Sequence, residues 1–332
     1  MTANETFKAV VLEKGDDGVV CSIKELTDSD LMEGDVTVDV AYSTINYKDG
    51  LAITNSAPIA RVWPLVPGID FSGTVTSSTN DVYKVGDEVV LNGWGVGEKH
   101  HGGLAQKARV NGDWLIKKPA GLSAKECMAL GTAGYTAMLC VQKIEDHGVK
   151  PADGPILVTG ASGGVGSVAI MLLAKLGYDV HAATGRMEEE AYLKGLGAST
   201  LVDRESLSGK PRPLNRETYA AAVDVAGGSM LANVISQIRY DGVVAACGLA
   251  QSMDLPASVA PFILRGITLA GVDSVMAPVE RRQRAWDRLA ELLPKDLLAA
   301  SVETTGLAGA LDVGKAIMTG SVRGRVVIDV NA

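Results

Sequence analysis

Between residues 7 and 120 the apolar positions come in short runs broken by turn formers. FKAVVL (7–12), DVTVDVAY (35–42), SGTVT (72–76), DEVVLN (87–92) and QKARV (106–110) are bounded by Gly, Asp, Asn or Pro. Helical periodicity is poor there, so the stretch predicts a compact, mostly β domain. The pattern changes near residue 123. Ser123 followed by Glu126 fits a capping box, and a mostly helical stretch is expected over 123–147, interrupted around Gly131 and Gly134. Past the turn PADG (151–154), apolar strands alternate with helices. Strands are expected at 156–160, 178–184, 221–226, 243–248 and 267–272, and helices at 165–176, 187–196 and 230–238. Continuous apolar strands alternating with helices indicate a parallel sheet covered on both faces, an α/β domain. A charged amphipathic helix over 278–292 and another over 307–319 follow. RVVIDV (325–330) reads as a strand with no helix after it, so it is expected to return to the first domain.

Composition sharpens this picture. At 332 residues and roughly 150 residues per domain, two domains are expected. Hydrophobic residues make up 47%, enough for a core, which excludes whole-chain disorder. Gly is 38 of 332, above the usual fraction of about 7%, and points to many tight turns. The net charge of -8 argues against a nucleic-acid protein. Cys21, Cys127, Cys140 and Cys247 are scattered, with no C-x-x-C, so neither a disulfide scaffold nor a zinc knuckle is indicated. The opening MTANETFKAV has no basic segment followed by an apolar one. No run reaches the roughly 20 apolar residues of a membrane span. A cytoplasmic protein is expected.

The strongest local signal is TGASGGVG (159–166), which follows a predicted strand and opens a predicted helix. Such a turn lets backbone approach a pyrophosphate and sets the helix N-terminus against the anion. Ser162, Gly163, Gly164, Val165 and Gly166 are the candidate cofactor residues here; the bland alternative is a structural turn of an ordinary α/β domain. About 20 residues on, an NAD site places Asp or Glu against the ribose. Here the chain reads Thr184, Gly185, Arg186, with no carboxylate. An arginine can hold a 2′-phosphate that a carboxylate would repel, so NADPH is the expected cofactor. Against that stands a solvated turn and helix start. His100 and His101 follow Glu98, but adjacent histidines rarely converge on one ion and no cysteine lies near in sequence, so no metal is expected.

These features together resemble the medium-chain dehydrogenase/reductase superfamily, over essentially the whole chain. The resemblance implies a GroES-like mostly β domain over 1–125, completed by 274–332, and a Rossmann doubly wound parallel-sheet domain over 126–273, with substrate in the cleft between them. PGIDFSG (67–73) lacks the histidine of the zinc alcohol dehydrogenases, and their structural-zinc cysteines are absent too, so the chain resembles the zinc-free, quinone-oxidoreductase-like branch. Within that branch INYKD (45–49), GWGVGE (93–98), GTAGYTAM (131–138), TGR (184–186) and GVDSV (271–275) resemble the acrylyl-CoA reductase subgroup. That implies an oxidoreductase acting on CH–CH donors, using NADPH to reduce acrylyl-CoA, an acyl-CoA thioester, to propanoyl-CoA. It also implies a cytoplasmic homodimer paired through Rossmann domains, with no nucleic-acid or membrane partner.

The resemblance places the loop Asn46–Tyr47 beside the nicotinamide. Asn46 would orient substrate or ribose. Tyr47 would donate to the thioester oxygen or relay a proton, the other reading being pocket packing. Asp49 suits structural hydrogen bonding and Lys48 solvent. Thr132 and Thr136 would approach the cofactor, Ala226 and Gly227 end one strand, and Cys247, Gly248 and Leu249 end the next. Asp273 and Ser274 end the last strand, Ser274 toward the carboxamide. Arg325 either reaches the cofactor or is a surface charge. Arg61, Lys99, Arg281 and Arg282 are candidates for the CoA phosphates. Two other functions share these features: a general NADPH:quinone or enone reductase, and a redox-inactive NADPH-binding structural protein.

Overall fold

The computed structural model describes residues 6–15 and 18–332. Two compact units emerge. One takes in the described residues through Thr132 with Ser274–Ala290 and Ser301–Ala332; the other takes in Ala133–Asp273 and Glu291–Ala300.

The first unit opens with an antiparallel ribbon, β1 (Thr6–Gly15) and β2 (Gly18–Thr27). There follow β3 (Val36–Thr44), α1 (Tyr47–Ile53), β4 (Asp70–Ser78), β5 (Glu88–Asn92), β6 (Lys107–Val110) and β7 (Leu115–Lys117). Alternation drives β3: Val36, Val38 and Val40 face the core with Phe71 of β4 and Leu91 of β5. α2 (Ala124–His147) starts from Ser123, whose hydroxyl accepts from Glu126 N while its own N–H donates to the Glu126 carboxylate, the capping box expected from sequence. It kinks at Gly131, which has φ 52° and ψ -156°.

In the second unit run β8 (Ile156–Val158), α3 (Gly164–Lys175), β9 (Val180–Thr184), α4 (Glu190–Gly195), β10 (Thr200–Asp203), β11 (Tyr219–Asp224), α5 (Gly228–Ile235), β12 (Ile238–Ala246), α6 (Ala260–Arg265) and β13 (Thr268–Gly271). All pairings are parallel, in the order β10-β9-β8-β11-β12-β13. The winding direction reverses between β8 and β11, the place where such sheets bind ligands, beyond their carboxyl ends.

The chain then forms α7 (Val279–Leu292), α8 (Lys295–Ala300), β14 (Val302–Gly306), α9 (Ala310–Met318) and β15 (Arg325–Asp329). β15 pairs parallel with β14 and antiparallel with β3, so the first unit's sheet reads β14-β15-β3-β4-β5-β7, with β6 also on β3. Several elements were not anticipated. β2 mixes polar and apolar positions without alternation because most of it is only half-buried or exposed. α1, α6, α8, β7, β10 and β14 are too short to carry a period. No helix among the described residues is long and apolar enough to cross a membrane.

Candidate active site

The chain leaves β8 through a turn that Thr159 fastens to the end of β11. Its hydroxyl donates to Asp224 Oδ1 (2.8 Å) and accepts from Val225 N (3.0 Å). Burial pushes the Asp224 carboxyl up from its ordinary value, against hydrogen bonds from Gly227 N and Thr159. Gly166 is required by packing: a Cβ there would stand 2.3 Å from Gly160 O. Gly163 is different. A Cβ on it would meet only Gly160 O, at 3.2 Å, so bare backbone faces outward at the start of α3. Gly163 caps α3 without a side-chain bond, and Gly164 and Val165 are its first two residues. Main-chain N–H groups at such a helix start suit a pyrophosphate.

The structure brings together three of the residues singled out around this turn. Arg186 Nη2 donates to Ser162 Oγ (2.8 Å), and Arg186 N donates to Thr184 Oγ1 (3.0 Å). Gly185, between them, has Arg204 for a neighbour: a Cβ on it would lie 2.7 Å from Arg204 Cζ. Ala226 and Gly227 lie past β11, and Cys247 and Gly248 past the neighbouring β12. Gly248 packs so closely that a Cβ would fall 2.3 Å from Val225 O. Cys247 Sγ donates to Asp224 O (3.4 Å). Leu249 and Asp273 are exposed, and Thr136 is buried within α2.

In the first unit the candidates gather around Asp70, the fully buried first residue of β4. Its oxygens accept from Asn46 Nδ2 (2.8 Å), Asn92 Nδ2 (2.8 Å), Thr132 N (2.7 Å) and Thr132 Oγ1. Four donors suit a carboxylate, which only accepts. Gly131 makes the approach possible, since a Cβ there would fall 2.7 Å from both Asp70 Oδ2 and Arg325 Nη2. Arg325 is 4% exposed and so is no surface charge. Its guanidinium donates to Asn46 Oδ1 (3.1 Å), Thr44 Oγ1 (2.9 Å) and Ala129 O (3.3 Å). Burial pulls Arg325 down from its ordinary value, opposed by Asp70 and Asp49, and it stays cationic.

Asn46 also caps α1. Its N–H donates to Asp49 Oδ2 (2.8 Å), whose other oxygen accepts from Ile69 N (3.0 Å). Burial pushes the Asp49 carboxyl up to about 7 from 3.8, with the Asp70 charge adding to the rise and hydrogen bonds from Asn46 and Ile69 opposing it. A carboxyl that holds its proton more tightly folded than unfolded contributes stability fully present below the unfolded value and lost as pH rises through the folded one. The stability of the parent relative to Asp49→Asn is therefore expected to fall between pH 4 and 7.5. Urea midpoints across that range check it; a constant difference would refute it.

Tyr47, the first residue of α1, stays outside the buried network and is 48% exposed. Two expectations need correction. Lys48 does not simply face solvent: it pairs with Glu98 at 2.8 Å. Arg282 cannot serve CoA phosphates. It is 2% exposed and donates to the carbonyls of Asn92 (2.7 Å), Ala277 (2.9 Å), Ser274 (3.1 Å) and Val275 (2.6 Å), stacking 4.5 Å from the Trp94 ring. Ser274 is thereby held through its carbonyl. Each ring nitrogen of His100 lies 3.1 Å from a main-chain carbonyl oxygen, of His101 or Glu33, which makes His100 a loop staple. Among the described residues no group of three or more His, Cys, Asp or Glu could hold a metal ion. No pattern in the sequence singles out Asp70, Asn92 or Arg204. Asp70 stood inside the PGIDFSG string, noticed only for its missing histidine.

Comparison with known proteins agrees with both units. Residues 32–120 match the alcohol dehydrogenase GroES-like domain, and residues 164–293 match the zinc-binding dehydrogenase family. The chain is 51% identical over 329 residues to the acrylyl-CoA reductase AcuI of Ruegeria pomeroyi, covering 98% of this chain and 100% of that one. A crystal structure of the yhdH oxidoreductase from Salmonella enterica in complex with NADP superposes with a TM-score of 0.96 at 50% identity, covering 97% and 99% of the two chains. That of Bacillus subtilis yhfP with NAD bound gives 0.94 at 42% identity, covering 98% and 100%.

Proposed function

This chain belongs to the zinc-free, quinone-oxidoreductase-like branch of the medium-chain dehydrogenase/reductases, close to the acrylyl-CoA reductases, and from that premise we propose that it reduces the carbon–carbon double bond of acrylyl-CoA to give propanoyl-CoA, using NADPH. The full-length 51% identity to an acrylyl-CoA reductase carries the reading. The cofactor fits the residues present: outward-facing backbone at Gly163, the uncapped start of α3, and Arg186 with Ser162 and Thr184 at the end of β9.

When bound, NADPH supplies a hydride for the β-carbon of the enoyl thioester. The chain's own task is to stabilise the negative charge that then develops on the thioester oxygen, while a proton reaches the α-carbon. We assign the oxyanion donor to the Tyr47 hydroxyl. A phenol O–H can donate a hydrogen bond to a developing oxyanion. Asn46 is a positioning residue. Its amide is held between Asp70 and Arg325, and its main chain is held by Asp49, which fixes where Tyr47 begins the helix.

The test is a substrate panel of acrylyl-CoA, crotonyl-CoA and benzoquinones, with deuteride-labelled NADPH. Label at the β-carbon of propanoyl-CoA is expected. Brisk quinone reduction without a CoA product, or label at the α-carbon, overturns the reading. NADPH should be favoured over NADH at least about tenfold in kcat/KM, and Arg186→Ala should remove about 1.5–3 kcal/mol of NADPH-specific stabilisation, the range of a charged hydrogen bond. Equal use of both cofactors by the parent sinks the NADPH assignment.

We further propose a homodimer joined at β13, the edge of the second unit's sheet. An unpaired strand edge is a ready template for a second copy. Beside it, α6 and the preceding loop expose Met253, Val259, Ile263 and Leu264, a patch that calls for a cover. The parent is expected to sediment at twice its 34.5 kDa chain mass, and Ile263→Glu as a single chain; a monomeric parent refutes the proposal. A cytoplasmic location suits the four scattered cysteines, which the structure holds as thiols.

A further inference from the structure

We propose that Trp94 sets the size limit on the acyl group, admitting the acrylyl thioester and turning away 2-enoyl thioesters that carry an alkyl group on the β-carbon. The proposal rests on the acrylyl-CoA reading. Trp94 lies in a left-handed run: φ is 75° at Gly93, 59° at Trp94 and 81° at Gly95. Glycine adopts such angles freely, whereas a bulky side chain does so only under constraint. The other described non-glycine residues with positive φ are Asn55 and Asp241, types that tolerate it. Trp94 is held there from two sides. Its N–H donates to Val275 O (3.1 Å), and the Arg282 guanidinium lies 4.5 Å from its ring. Arg282 is itself fixed by four carbonyls, so the indole rests on a fixed backing. Backbone strain of this kind collects at functional sites.

The loop is tied to both neighbours of Tyr47. Asn92, just before Gly93, donates to Asp70, which also accepts from Asn46 Nδ2, and Glu98 pairs with Lys48 at 2.8 Å. Trp94 is thus carried on a loop that borders Tyr47. What it presents there is hydrocarbon. Its Nε1 is out of solvent and finds no acceptor among the described residues, while the residue as a whole is only half-buried. Whatever of the side chain reaches solvent is therefore carbon, which makes a wall and not a hydrogen-bond donor. Such a wall discriminates by volume. Acrylyl-CoA ends in an unsubstituted β-carbon, where the hydride arrives; crotonyl-CoA adds one methyl to that atom. Refusing one methyl takes a surface that does not give, and a large planar ring backed by a fixed guanidinium is one.

The test is the ratio of kcat/KM for crotonyl-CoA to that for acrylyl-CoA, with NADPH, in the full-length parent, Trp94→Asn and Trp94→Phe. Asn tolerates the left-handed turn and removes the ring; Phe keeps a smaller ring in place. The parent should favour acrylyl-CoA at least about tenfold. Trp94→Asn should raise the crotonyl-to-acrylyl ratio about 10- to 200-fold, the range for one methylene in a pocket, and Trp94→Phe should raise it about three- to tenfold. A merely structural role would lower both rates together and leave the ratio as it is. A parent that reduces both esters equally well, or a ratio in Trp94→Asn within about twofold of the parent's, overturns the inference and leaves the acrylyl-CoA reading intact. If the parent reduces quinones and neither ester, that reading fails and the inference falls with it. Should Trp94→Asn not fold, Trp94→Phe decides: a ratio within about twofold of the parent's overturns the inference.

Discussion

Tyr47→Phe is expected to lower kcat for acrylyl-CoA by about 10²–10³, or about 2.7–4 kcal/mol, the usual effect of removing one oxyanion donor. The ring stays where it is because its position does not depend on the hydroxyl. Tyr47 opens α1, the preceding residue is held by Asp49, Asp70 and Arg325, and the following one by the Lys48–Glu98 pair. NADPH affinity should therefore change far less than kcat, the signature of an interaction made in the transition state. Steady-state kinetics with a direct cofactor titration separate the two. A loss under about threefold would leave Tyr47 as packing. The donor role would then pass to a main-chain N–H or water, because the Asn46 amide is already engaged by Asp70 and Arg325.

Asp70→Ala should lower the free energy of unfolding by about 3–5 kcal/mol, the cost of removing one partner from a buried, charge-bearing network. The side chain accepts from Asn46, Asn92 and Thr132, and it faces the buried Arg325, on which its charge acts. Deleting it strands these donors away from water and takes from the guanidinium the stronger of the two carboxylate charges that act on it. Urea denaturation against the parent measures the effect. A change below about 1 kcal/mol would mean that solvent or a neighbour replaces Asp70. Activity should fall alongside stability, since Asn46 would lose its main anchor while Tyr47 keeps its hydroxyl.

The α/β half was legible because its signals are local. TGASGGVG lies where a strand meets a helix, and the absence of a carboxylate at 184–186 needs no partner to be noticed. The strands of the first unit that alternate or run apolar were legible for the same reason, and β2, with neither pattern, was not. The buried network was legible only in pieces. Asn46, Thr132 and Arg325 were each singled out, but nothing in their spacing says that one carboxylate, Asp70, collects two of them. Charge misled twice. Arg282 sits in a helix of charged residues yet turns inward onto four carbonyls, and Lys48 finds Glu98 fifty positions away. A charged residue's partner lies in three dimensions, and no periodicity encodes it.

The place of β15 in the first sheet bears on the order in which the protein can form. Arg325 and Thr44 are bonded though 281 positions apart, and Val327 lies opposite Thr44 across the β3–β15 pair. While the chain is being synthesised, the Tyr42–Thr44 end of one β3 edge, beyond the stretch that β6 pairs, waits for a strand that emerges late. The parallel sheet, by contrast, lies wholly within Ala133–Asp273 and can close on itself much earlier. The half made first is thus finished last. Until then the pocket around Asn46 lacks its cation, and an open strand edge is exposed to whatever other chains are near, the circumstance in which nascent proteins need chaperones most.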